Sequence, residues 1–195
     1  MSSTIPATLD AVTTLGDLAR FHGAGRPDVE ALWFEGRSTS YRDFDQLTNR
    51  VANGLLAEGV EPGSRVGFMD KNSDHFYQLV FGCAKANAVS VGINWRLAPP
   101  EVAYILNDSR AEVLFVGPDF YPLVERIRAE VPTLRRIVAM EAGHPEWTPF
   151  TAWRDGQPAH DPGVAVTTDD VAIQMYTSGT TGHPKGVQLP HRCFF

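Results

Sequence analysis

Residues 176–187, which read YTSGTTGHPKGV, are the most informative stretch of this sequence. Three glycines in this stretch let the backbone take positive φ angles and approach a ligand closely. Four Ser and Thr hydroxyls add side-chain donors, and the ammonium group of Lys185 adds a positive charge. Backbone amides, hydroxyls and a lysine on one loop suit the oxygens of a polyphosphate. The stretch therefore predicts a phosphate-binding loop.

A flexible linker and a Walker A loop are the two alternatives for this stretch. A Gly/Ser/Thr linker is compatible with its composition. However, the apolar run Val171–Met175 leads directly into it and is typical of a buried strand. A Walker A loop would need glycine immediately before the lysine and Ser or Thr immediately after it. Because Pro184 and Gly186 occupy those two positions, the stretch is not a Walker A loop.

The composition is that of an ordinary globular protein. With 195 residues, 43% apolar and 21% charged, the chain is long enough for one well-buried domain. Its net charge is −6 and no basic block or stripe appears, which argues against nucleic-acid binding. A net negative charge does not exclude an anionic substrate, since a single loop can still be positively charged.

Several further classes of site and location are disfavoured. Cys83 and Cys193 are far apart and neither has a neighbour at metal-ligand spacing, so we expect no disulfide framework and no metal site. The N-terminus lacks the basic segment and apolar core of a signal peptide. No apolar run is long enough for a transmembrane segment. These features predict a cytoplasmic protein.

Strand-like and helical patterns alternate through the middle of the chain. The predicted strands are 65–69, 88–93, 113–116 and 136–139, and the predicted helices between them are 73–86, 99–107 and 120–129. This alternation predicts an α/β fold, a mostly parallel sheet with right-handed crossovers and helices on both faces.

The regions before and after this alternation contain further patterns that predict local structure. We expect a helix over 13–21, a hairpin with Gly36-Arg37 at its turn, and a helix that begins at Ser40 and stops at Gly59. Residues 142–162 predict a surface excursion, an irregular segment of which part packs against the rest of the domain through Phe150 and Trp153.

Residues 178–186, SGTTGHPKG, resemble the signature loop of the adenylate-forming superfamily, which includes acyl-CoA synthetases, luciferases and the adenylation domains of peptide synthetases. The resemblance extends from about Leu15 to the end of the chain. It is carried by Ser40–Phe44, Leu55–Val60, Pro62–Val66, Lys85–Ala88, Asn94–Leu97 and Glu101–Leu106. Two departures are Ser64, where the family usually has Asp, and Asn87, where it usually has Gly.

This resemblance implies a domain organisation. Residues 1–12 would be an N-terminal tail, and 13–195 would be a truncated N-terminal AMP-binding domain, the first part of the family's large domain. The family's magnesium-binding glutamate, its ribose-binding aspartate and its C-terminal lid domain with a catalytic lysine are not found, and we expect them beyond Phe195.

The resemblance also implies a function, that of an AMP-forming acyl-CoA synthetase. Such an enzyme converts a fatty or aryl carboxylic acid, ATP and coenzyme A into acyl-CoA, AMP and pyrophosphate, with Mg²⁺ as cofactor. The isolated chain would be inactive. Two alternatives stay open: an adenylation enzyme that loads a carrier protein, and a non-catalytic nucleotide-binding fragment.

The same resemblance assigns the candidate site residues. Those expected to hydrogen-bond the phosphates of ATP are Thr177, Ser178, Gly179, Thr180, Thr181 and Gly182. Lys185 would supply the cation. His191 is a candidate for the neighbourhood of the acyl or nucleotide site, with a purely structural role as the alternative.

Overall fold

The computed structural model describes residues 5–177 and 184–195. Its strands are β1 (Glu30–Phe34), β2 (Arg37–Ser40), β3 (Arg65–Met69), β4 (Val89–Gly92), β5 (Ala111–Val116), β6 (Arg136–Ala139), β7 (Val171–Thr177) and β8 (Lys185–Pro190). Its α-helices are α1 (Leu15–Gly25), α2 (Tyr41–Ala57), α3 (Asp74–Lys85), α4 (Pro99–Ser109), α5 (Tyr121–Ile127) and α6 (Phe150–Asp155). Short 3-10 helices lie at Leu9–Ala11, Pro118–Phe120, Arg128–Glu130 and His191–Phe194.

The first hairpin forms where the sequence predicts it, but its turn lies one residue earlier. Strands β1 and β2 pair antiparallel, and Arg37 is already in the ladder opposite Phe34. The two turn residues are therefore Glu35 and Gly36, with φ angles of 47° and 83°. Positive φ at both central residues matches the twist of a two-residue hairpin.

Helix α2 begins and packs as the sequence predicts. The hydroxyl of Ser40 accepts a hydrogen bond from the backbone N–H of Asp43 at 3.1 Å, which satisfies one of the free donors of the first turn. The buried positions of its apolar stripe include Phe44, Val51 and Leu55. Gly59 follows the helix with a φ angle of 76°.

The main sheet has six strands in the order β6-β5-β3-β4-β7-β8. Each neighbouring pair is parallel except β7 and β8, which are antiparallel. The predicted mostly parallel sheet is confirmed, and β8 is an additional strand that the sequence pattern did not predict.

Helices cover both faces of this sheet. Side chains of α4 and α5, such as Leu106 and Val124, form one apolar core with Met69 and Leu114. The second core lies on the other face, where α2, α3 and α6 pack over side chains of β3, β5 and β6. It includes Leu55, Phe68, Leu79, Phe115 and Trp153. Adjacent residues of a strand thus contribute their side chains to opposite cores, because successive side chains point to opposite faces of a sheet.

Part of the predicted surface excursion does pack against the rest of the domain. Phe150 is fully buried and Trp153 is 5% exposed, and both belong to α6. The indole N–H of Trp153 donates to Glu58 Oε1 at 3.0 Å, which ties this region to the end of α2.

The two departures from the family pattern have local structural roles. Asn87 has a φ angle of 54°, the left-handed conformation that asparagine tolerates better than most non-glycine residues. The hydroxyl of Ser64 donates to Glu112 Oε1 at 2.7 Å and so links the loop before β3 to β5.

The carboxyl ends of β3, β4, β5, β6 and β7 lie along one edge of the sheet, because these strands are parallel. Helices α3 and α5, which follow the neighbouring strands β3 and β5, pack on opposite faces. Such an edge is where α/β sheets bind ligands. Within residues 5–177 and 184–195, no helix has the length and apolar character needed to cross a bilayer.

Candidate functional site

Thr177 and Lys185 meet at the carboxyl edge of the sheet. Thr177 is the last residue of β7, Lys185 is the first of β8, and the two are register partners. Both side chains are exposed. The predicted contacts Ser178, Gly179, Thr180, Thr181 and Gly182 lie outside the residues that the structure describes.

Lys185 supplies a positive charge at this edge. In the described part of the chain, no carboxylate forms an ion pair with its ammonium group. Lys71, in contrast, is an exposed lysine that pairs with Asp119 at 2.8 Å. Lys185 is therefore the better placed of the two to meet an anionic ligand.

A chain of polar side chains lies beside the end of β7. The hydroxyl of Tyr176 donates to Asp108 Oδ2 of α4 at 2.6 Å. Gln174 Nε2 donates to the Tyr176 oxygen at 3.0 Å, and Arg65 Nε donates to Gln174 Oε1 at 3.3 Å. Burial, followed by the hydrogen bond and charge of Asp108, raises the pKa of Tyr176. Tyr176 therefore stays protonated and remains a donor.

Helix α4 also contacts the start of β8. The hydroxyl of Tyr104 donates to the backbone carbonyl of Pro184 at 3.3 Å. Gly186 leaves room for the Gln174 amide, since a Cβ atom there would lie 2.5 Å from Gln174 Nε2. Sequence reasoning did not find Tyr104 and Asp108 as residues of this region. Their spacing of four on one predicted helix, which places them on the same face, was the available signal.

His191 lies at the other end of β8. Lys185 and Pro190 begin and end that strand, about 17 Å apart at the usual rise of an antiparallel strand. His191 is 1% exposed, and its Nδ1 accepts the backbone N–H of Leu15 at 3.2 Å. Burial lowers its pKa, which keeps Nδ1 free to accept. His191 thus caps α1, and its nearness to a nucleotide or acyl group stays a prediction.

The described residues do not supply a metal site. Within 5–177 and 184–195, no group of three or more His, Cys, Asp or Glu side chains could hold a metal ion. No residue of the described part of the chain is therefore assigned as a Mg²⁺ ligand.

Comparison with known proteins adds independent findings. A family model described as AMP-binding enzyme matches residues 20–194. The fatty acid–acyl-carrier-protein ligase ScoC of Streptomyces coeruleorubidus is 43% identical over 182 residues, which are 93% of this chain and 34% of that protein. The 3-hydroxybenzoate–CoA/4-hydroxybenzoate–CoA ligase of Thauera aromatica is 39% identical over 170 residues, 86% of this chain and 32% of that protein.

Solved structures of other proteins share this fold. The crystal structure of the anthranilate CoA ligase AuaEII in complex with anthranoyl-AMP superposes with a TM-score of 0.87 and 35% identity, over 92% of this chain and 35% of that one. The Mycobacterium tuberculosis fatty acyl CoA synthetase gives a TM-score of 0.83 and 33% identity, over 93% of this chain and 35% of that one. The chain thus spans about a third of the length of the relatives that it matches.

Proposed function

Because the chain belongs to the AMP-binding enzyme family, we propose that it is part of an AMP-forming acid ligase and contributes the hairpin that binds the phosphates of ATP. The observation that supports this most is the pairing of Thr177 with Lys185 at the carboxyl edge of a doubly covered sheet. An exposed hydroxyl and an exposed ammonium group at that edge suit an anionic ligand.

The proposed reaction has two steps. A carboxylate oxygen of the acid attacks the α-phosphorus of ATP, and the bond from that phosphorus to the bridging oxygen breaks. The products are an acyl-adenylate and pyrophosphate. A thiol then attacks the acyl carbon, AMP leaves, and the thiol proton is released to solvent. The first step needs little covalent help from the protein, so positioning and charge stabilisation do most of the catalysis.

In this proposal the hairpin acts on the departing pyrophosphate. Negative charge grows on the β- and γ-phosphates as the bond to the α-phosphate breaks. The ammonium group of Lys185 and the hydroxyl of Thr177 would stabilise that charge, together with the backbone and hydroxyl groups of residues 178–182. Charge-assisted hydrogen bonds of this kind are each worth about 1.5–3 kcal/mol.

The acceptor thiol and the acid are the less defined parts of the proposal. Coenzyme A is the first candidate acceptor, in line with the CoA ligases among the relatives. A carrier protein is the second candidate, and it is favoured by the 43% identity to a ligase named for an acyl carrier protein. The relatives are named for fatty and aryl acids, so both classes are candidate substrates.

The role of Lys185 can be tested by separating the two half-reactions in the full-length enzyme. We expect Lys185→Ala to slow formation of the adenylate roughly 10- to 100-fold, because one charge-assisted contact to the leaving pyrophosphate is lost. Thioester formation from preformed adenylate should change much less, since no pyrophosphate is present in that step. Rapid-quench measurement of each half-reaction gives both rates.

Lys71→Ala is the matched control, because it removes an exposed lysine that already has an acidic partner. We expect it to behave as the wild type in both half-reactions. If Lys185→Ala slowed both half-reactions equally, the lysine would not act on the leaving pyrophosphate.

A further inference from the structure

We propose that Tyr104 and Asp108 of α4 are positioning residues for the phosphate-binding hairpin, defined here as β7 and β8. This inference rests on the proposed function. Tyr104 holds the carbonyl of Pro184, the residue directly before Lys185. Asp108 holds the hydroxyl of Tyr176, the residue directly before Thr177. One helix thus fixes the end of β7 and the beginning of β8.

The geometry of α4 makes this double contact possible. Tyr104 and Asp108 are four residues apart, so their side chains lie one above the other on the same helix face. The remaining faces of the helix are anchored elsewhere, since Val102, Ile105 and Leu106 are buried in the core between α4 and the sheet. The two polar side chains therefore extend from a rigid element.

The hairpin needs such support because β8 lies at the edge of the sheet. Among the strands that the structure describes, β8 pairs with β7 alone. Its outer face is largely exposed, with Val187 at 43% exposure. The hydrogen bond from Tyr104 is thus a second attachment for the start of the strand, independent of the ladder. Without it, the position of Lys185 would depend on one neighbouring strand.

The contact at the end of β7 is the stronger of the two. Tyr176 donates to a carboxylate at 2.6 Å, and hydrogen bonds to ionised groups are roughly twice as strong as those between neutral groups. The same tyrosine oxygen accepts from Gln174, which in turn accepts from Arg65 of β3. The chain of hydrogen bonds ties the end of β7 both to α4 and to the centre of the sheet.

Preorganisation of this kind affects ligand affinity. A hairpin already held in the binding geometry loses less conformational freedom when a polyphosphate binds. Removal of one neutral hydrogen bond typically costs about 0.5–1.5 kcal/mol, equivalent to a roughly 2- to 10-fold larger dissociation constant. Neither Tyr104 nor Asp108 has to touch the ligand for this effect.

The test measures binding of inorganic tripolyphosphate to the full-length protein by isothermal titration calorimetry. We expect Tyr104→Phe to weaken the affinity roughly 2- to 10-fold and Tyr176→Phe to weaken it more, since each loses one contact between α4 and the hairpin and the Tyr176 contact is to a carboxylate. Tyr77→Phe is the matched control, because Tyr77 is 46% exposed on α3 and its loss of the same hydroxyl should leave affinity unchanged.

A second control separates positioning from general destabilisation. Ser40→Ala removes a helix cap far from the hairpin, so it should lower the melting temperature without changing the affinity. Circular dichroism of each variant at the titration temperature establishes that it is folded, and Asp108→Asn, which weakens the acceptor of the Tyr176 hydroxyl, replaces Tyr176→Phe if that variant is not folded.

Two outcomes would overturn the inference in distinguishable ways. If Lys185→Ala weakens tripolyphosphate binding while Tyr104→Phe and Tyr176→Phe bind like the wild type, α4 does not position the hairpin, and the proposed function stands. If the wild type does not bind tripolyphosphate, or Lys185→Ala binds as the wild type does, the phosphate site itself is wrong, and this inference falls with it.

Discussion

Lys85 is a fully buried lysine at the junction of three helices. Its ammonium group donates to Asp45 Oδ1 and Asn49 Oδ1, each at 2.6 Å, and to the Asp45 carbonyl at 3.1 Å. A Cβ atom at Gly16 of α1 would lie 3.2 Å from Lys85 Cγ, so α1 also closes over the side chain. Burial lowers the pKa of Lys85 to about 8, although Asp45 opposes the shift. The residue is structural and has no part in the proposed chemistry.

This pKa predicts a pH dependence of stability. Between pH 8 and the ordinary lysine value of 10.5, the unfolded chain binds the proton more tightly than the folded chain does. The free energy of unfolding should therefore rise with pH across this window, by at most about 1.4 kcal/mol per pH unit. Lys85→Met has no such titration. Urea denaturation of both proteins should show the wild type gaining stability relative to Lys85→Met as the pH rises, and a constant difference would contradict the prediction.

At the residue scale, sequence reasoning could assign chemistry to Lys185 but not to Tyr104 or Asp108. Glycines, hydroxyls and a lysine in one short stretch predict a phosphate loop by residue type alone. Tyr104 matters through its contact with Pro184, which is 80 residues away in the sequence. The periodicity of α4 gives the face on which Tyr104 lies, but it does not say what that face meets.

Among the helices, α2 and α3 allow a comparison of two serine N-caps. Ser40 caps α2 through a hydrogen bond from the Asp43 amide, whereas Ser73 stands at the same position of α3 and its side chain makes no capping bond. We expect Ser40→Ala to lower the free energy of unfolding by about 1 kcal/mol and Ser73→Ala to lower it by less. Urea denaturation of the two variants measures the difference. Equal losses would mean that the serine hydroxyl does not stabilise the start of α2.

The elements differ in how well the sequence predicted them. The stripe Phe44, Val51 and Leu55 has helical spacing and a serine cap before it, so α2 was predictable from local signals. Strand β8 was not, because its residues are exposed or half-buried and lack an apolar run or a strict alternation. Its strand conformation comes from pairing with β7 rather than from its own composition.

The hairpin of β1 and β2 shows a smaller error of the same kind. Glycine marked the turn correctly, but either neighbour of Gly36 could have been the second turn residue. Pairing of Arg37 with Phe34 decides in favour of Glu35. Turn position is thus fixed by the ladder, which the sequence of the turn alone does not reveal.

For the whole molecule, the alternation of strands and helices was sufficient to predict the sheet and its two covered faces. Rules of chain connection leave few arrangements for such an order, and the observed sheet is mostly parallel in the order β6-β5-β3-β4-β7-β8. The sheet places the carboxyl end of β7 at the edge where ligands bind, so the phosphate loop and the fold predict the same location. Agreement between the motif and the fold adds support to the proposed function.

The central claim is that this chain belongs to an enzyme that joins a carboxylic acid to AMP. The most direct measurement is carboxylate-dependent exchange of labelled pyrophosphate into ATP by the full-length protein, with a panel of fatty and aryl acids. We predict exchange with at least one acid class and none without acid, because the exchange requires reversible formation of the acyl-adenylate. ATP binding without exchange for any acid would contradict the claim and would favour a non-catalytic nucleotide-binding protein.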